Sequence, residues 1–82
     1  MNCTVEERNR ARRVIQQLGE RSEVIGTDLV SPALGPCGRW AIEISLATEG
    51  LPPAIVSVLS EANLTIRDVG PRQSWWHCVA VV

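Results

Sequence analysis

The sequence predicts an α+β domain in which two helices pack on one face of a four-stranded, antiparallel-rich sheet, in the order αββαββ. Three observations carry that expectation. Two separate stretches repeat apolar residues at i, i+3, i+4 and i+7, the spacing of one helix face. Trp40 to Ala47 alternates large apolar with small or polar residues, the period of a strand. Ser74 to Val82 is apolar or aromatic at nearly every position, as a strand buried on both sides would be. Residues 1–82 hold a single domain, because 82 residues, 45% of them hydrophobic, leave no room for a second core.

The first helix begins where Thr4 and Glu7 have the spacing of a capping box, and Ala11, Val14, Ile15 and Leu18 supply its apolar stripe up to Gly19. Val24 to Val30 is short and mixed, interrupted by Gly26, Thr27 and Asp28, and reads as an edge strand. Ser31 to Arg39 holds two prolines and two glycines, which break regular structure and make a long connection. The strand Trp40 to Ala47 follows, with Trp40, Ile42, Ile44 and Leu46 on one face. Gly50-Leu51-Pro52-Pro53 opens the second helix, since proline in a first turn lacks only an N–H that would be unpaired anyway. Ile55, Val58, Leu59 and Ala62 form its stripe, and Asn63 stands where a left-handed cap is expected. Leu64 to Val69 is a strand, Gly70 to Gln73 a turn, and Ser74 to Val82 the last strand.

This order is that of a ferredoxin-like domain whose first strand has moved to the C-terminus. The permutation puts the last strand and Trp40 to Ala47 at the sheet centre, with Val24 to Val30 and Leu64 to Val69 at the edges. The two most apolar strands thus become central, while Thr27, Asp28, Thr65, Arg67 and Asp68 fall on the edges. Both helices cover the face of Trp40, Ile42, Ile44 and Leu46. Trp76, Cys78, Ala80 and Val82 join that side, because small Cys78 and Ala80 suit close helix packing. Trp75, His77, Val79 and Val81 then face the open side.

From Glu49 to Asp68, about a quarter of the chain, a glycine-containing turn at Gly50 leads to a helix that ends in Leu59-Ser60-Glu61-Ala62-Asn63 and steps into a strand. This segment resembles the loop, helix and strand of ACT-type regulatory domains. Those domains begin with a strand, whereas here a helix comes first. The resemblance implies a small regulatory or ligand-sensing module that pairs sheets or helices between subunits, with Gly50 and Leu51 matching the ligand-side turn.

Composition narrows the function. Eight basic residues, all arginine, against nine acidic ones give a net charge of −1, which argues against a protein devoted to neutralising phosphates. Three cysteines, an odd number, with no secretory segment predict reduced thiols and a cytoplasmic location, and no apolar run approaches the ~18 residues of a membrane span. Cys3, Cys37, His77 and Cys78 lack metal-knuckle spacing, and His77 and Cys78 must point to opposite faces of their strand. No metal, no cofactor and no catalytic residue is therefore assigned, and the protein is expected not to be an enzyme.

The expected working surface is the open sheet face, with Trp75, His77, Val79 and Val81 at its centre and Glu43 and Ser45 beside them. So apolar a face is covered most simply by a second copy in a homodimer, which also supplements a core able to supply only about 3–5 kcal/mol. Glu43 and His77 could pair there and hold a small polar ligand, or make association respond to pH. The alternative is single-stranded nucleic acid, with Trp75 stacking on bases and Arg39, Arg67 and Arg72 meeting phosphates. The first-helix arginines, Arg8, Arg10, Arg12 and Arg13, spread around a polar arc and read as a solvated face.

Overall fold

A computed structural model describes residues 3–33 and 38–82, with side chains from residue 5 onward. Its elements are α1 (Cys3–Leu18), β1 (Val24–Val30), β2 (Ala41–Leu46), α2 (Pro53–Glu61), β3 (Thr65–Arg72) and β4 (Trp75–Val81). The fold is α+β, with two helices and one four-stranded sheet in which every neighbouring pair is antiparallel. The strand order is β1-β2-β4-β3, so the two most apolar strands are central and the mixed ones form the edges.

Both helices lie on the same side of the sheet. Ala11, Val14 and Leu18 of α1 and Ile55 and Leu59 of α2 join Ile42, Ile44 and Leu46 of β2 and Cys78 and Ala80 of β4 in one buried cluster, against which Trp40 and Trp76 pack. The register is set by this burial. Ile42 stands opposite Ala80 and Ile44 opposite Cys78, so each isoleucine meets a small partner that leaves room for the helices above. A slip of one residue would carry the whole apolar row to the other face.

The end of α2 follows its local chemistry. Asn63 adopts φ +62°, the Leu64 N–H donates to the Leu59 carbonyl at 2.9 Å, and the Asn63 N–H donates to that of Ser60 at 3.0 Å. These two bonds form a Schellman motif, closed by the buried side chains of Leu59 and Leu64. At the other end of the chain, α1 begins at Cys3, which leaves Thr4 within the first turn, and the Glu7 carboxylate accepts a bond from Arg39 Nη2 at 2.8 Å.

The β3–β4 connection differs from expectation. Gly70, Pro71 and Arg72 belong to the ladder, paired with His77, Trp76 and Trp75, so the turn shrinks to Gln73 and Ser74. Proline is tolerated because β3 is an edge strand, where a missing N–H need not interrupt pairing. Each edge strand also bulges, at Ile25 in β1 and at Arg67 in β3. The bulge leaves Ile25 62% exposed, the most exposed large apolar side chain described.

Ile44 is fully buried at the centre of this sheet. Ile44→Ala should cost about 2–5 kcal/mol, comparable with the whole stability of a domain this size, and urea titration followed by tryptophan fluorescence should find the variant largely unfolded.

Candidate functional site

The register assigns residues to the face turned away from the helices. Rows run across β1, β2, β4 and β3: Asp28, Glu43, Val79 and Asp68 form one, and Gly26, Ser45, His77 and Gly70 the next, while Arg72 and Trp75 pair beyond them on β3 and β4. Glu43, Ser45, Trp75, His77, Val79 and Val81 therefore share one face of the sheet. They are not equally open. Trp75 is 39% exposed and Val79 partly so, but Val81 is 5% and His77 8% exposed. The accessible apolar patch is thus narrower than alternation alone suggests, and it centres on Trp75.

His77 is held from β3. One ring nitrogen, Nδ1, lies 3.0 Å from the Gly70 carbonyl oxygen, and Nε2 lies 3.1 Å from Asp68 Oδ2. A carbonyl oxygen only accepts, so Nδ1 carries a proton and donates. The expected Glu43–His77 couple is not what forms. Glu43 and Asp68 both stand opposite Val79, on either side of β4 and each diagonal to His77, and it is Asp68, placed in that row by the bulge at Arg67, whose carboxylate reaches the ring.

The acidic row has its own electrostatics. Asp28 and Glu43 are direct cross-strand partners, an arrangement of like charges that disfavours the sheet unless a positive group approaches. At the other end Arg72 faces Trp75 across the β3–β4 ladder. A cleft of about 270 Å³ opens beside them, lined by Ile25, Glu49, Arg72, Ser74, Trp75 and Trp76 among others. It combines an indole surface, a carboxylate and a guanidinium.

The remaining candidates separate. Arg39 lies at the far end of β2 from Trp75 and is bound to Glu7, and Arg67 sits exposed in the β3 bulge; only Arg72 accompanies the tryptophan. A single strand of nucleic acid would not meet all three arginines on one path. Gly50 adopts φ +79° in the β2–α2 turn, but Leu51 packs against the core and does not line the cleft. Cys37 and the Cys3 side chain lie outside the described residues. Among those described, no three His, Cys, Asp or Glu side chains stand together as a metal site, and no helix is long and apolar enough to cross a membrane.

Comparison with known proteins finds no matching family model, no matching curated protein and no matching solved structure.

Cys78 is a core residue, fully buried under the helices. Burial pushes its thiol up to about 11, and the Asp68 carboxylate adds to the effect. The folded state thus holds the thiol proton more tightly than the unfolded chain does, so stability is intact below the unfolded thiol range near 9 and falls as pH rises towards 11. Iodoacetamide at neutral pH should leave Cys78 unmodified in the native protein and label it on unfolding. A Cys78→Ala variant should lose less stability than the parent between those pH limits.

Proposed function

We propose that this chain is a small, non-enzymatic binding or regulatory module that self-associates as a homodimer through the sheet face carrying Trp75, and that it works in the cytoplasm. The observation that carries this reading is the exposure of Trp75 on the face opposite both helices. A large exposed aromatic side chain, on the same face as a partly exposed Val79, is the kind of anchor that dominates protein interfaces. The strand order and the αββαββ sequence of elements support a permuted ferredoxin-like architecture, and the Glu49–Asp68 segment supports an ACT-like regulatory role.

Charge selects how two copies would meet. A two-fold axis running across the strands at the level of His77 exchanges the Arg72–Trp75 end with the acidic row. Arg72 of one copy then faces Asp68 of the other, and Trp75 faces Val79. An axis along the strands through the sheet centre would instead lay Asp68 against Asp28, like charge on like. The cleft beside Trp75 suits a small polar ligand that carries both charges, held between Glu49 and Arg72.

Native mass spectrometry tests the reading. The protein should run as a dimer and Trp75→Ala as a monomer, whereas an unchanged mass for the variant rules out this interface. Arg72→Asp should weaken the dimer by about tenfold, and adding Asp68→Arg should restore it. A monomer carrying oligonucleotide that is lost in both Arg39→Ala and Arg72→Ala would favour the nucleic-acid alternative.

A further inference from the structure

The first helix and the free edge of the sheet make a second surface, distinct from the Trp75 face. β1 pairs with β2 on one side and with no strand among the described residues on the other. Its bulge is confined to the start, so Gly26 to Val30 keep regular register and offer five residues of unpaired edge. A groove of about 920 Å³ runs between this edge and α1, with Thr27, Asp28 and Leu29 on the strand side and Arg8, Arg12 and Arg13 on the helix side. Arg8 and Arg12 are one helical turn apart and therefore lie in line.

These arginines are uncommitted. Each is exposed, and none belongs to the ion pairs formed among the described residues, which join Arg21 to Glu23, Arg39 to Glu7 and His77 to Asp68. With Asp28 they give the groove a net charge of +2, in a chain whose total is −1. Three arginines of the polar arc seen in the sequence, Arg8, Arg12 and Arg13, thus border the edge of β1 that is unpaired among the described residues.

We infer that the β1 edge and the α1 arginines form a docking site for an extended acidic segment of a partner protein, which adds to the sheet as a further strand. The free edge supplies main-chain bonds and the arginines supply selection. Side chains of an added strand alternate between the two faces, so those on the helix side would lie beneath Arg8 and Arg12 and should be acidic. Those on the other side would continue the row of Asp28 and Glu43 and should be neutral or basic. The preferred partner therefore carries Asp or Glu at every second position.

Two other occupants fit less well. A second copy paired β1 to β1 would bring two surfaces of charge +2 together. Single-stranded nucleic acid needs stacking platforms, and among the described residues no aromatic side chain lines the groove.

The test is fluorescence anisotropy with a labelled octapeptide alternating Glu and Thr, at about 50 mM salt so that screening does not hide the effect. The peptide should bind, its Lys-Thr counterpart should not, and Arg8→Gln/Arg12→Gln should weaken binding by about tenfold or more with the circular dichroism unchanged. Arg8→Glu/Arg12→Glu should abolish it. Trp75→Ala should bind as the parent does. Two further peptides, N-methylated at all odd or at all even residues, examine strand addition: one should lose binding and the other keep it, since a strand offers alternate residues to each neighbour. No binding of the Glu-Thr peptide overturns the proposal, as does equal binding of both methylated peptides, which would mean charge attraction without pairing. Tighter binding of a thymidine octanucleotide, lost in the same arginine variants, would reassign the groove to nucleic acid.

Discussion

Both helices sit on the same side of β2 and β4, and the rest of the molecule depends on that packing. Two helices are enough to cover one face of a four-stranded sheet and no more. Placing Ile42, Ile44, Leu46, Cys78 and Ala80 beneath them fixes the register of the two central strands. The same choice turns Trp75, His77 and Val79 to the opposite side, because successive residues of a strand alternate. The open face is thus a consequence of core formation: a sheet cannot bury one set of side chains without presenting the other.

The edges modify this plan. The bulge at Arg67 shifts β3 so that Asp68, not Arg67, reaches His77, and the histidine becomes a tie between β3 and β4. With Gly70 and Asp68 as its partners, the ring is held in one orientation while remaining on the face where association is proposed. The bulge at Ile25 works at the other edge, where it leaves an aliphatic side chain in solvent beside the Trp75 cleft. Both edges therefore carry features that a regular ladder would lack.

Much of the fold was legible because it rests on local and periodic signals. The boundaries of Val24–Val30 match those read from composition, Asn63 takes the left-handed cap position, and the two tryptophans of β4 divide between the faces as alternation requires. Less legible were features that depend on pairing. Gly70 and Pro71 carry turn chemistry in isolation, yet pairing with His77 and Trp76 keeps them in the strand. Glu43 and His77 belong to one face, but the bulge at Arg67 brings Asp68 into the same row as Glu43 from the other side of β4, and that carboxylate is the one that meets the histidine.

By itself the sequence determined the α+β class, the order of elements, the apolar stripe of each helix and the alternation that separates Trp75 from Trp76. Each follows from periodicity or from the conformational preferences of single residues, which act over a few positions. The tertiary structure alone decided that His77 meets Asp68, that the open face narrows to the surroundings of Trp75, and that Arg8, Arg12 and Arg13 border the free edge of β1. Those outcomes turn on strand register, bulge position and the placement of a helix beside a sheet edge. Contacts between segments distant in the chain set all three, and no local pattern encodes them.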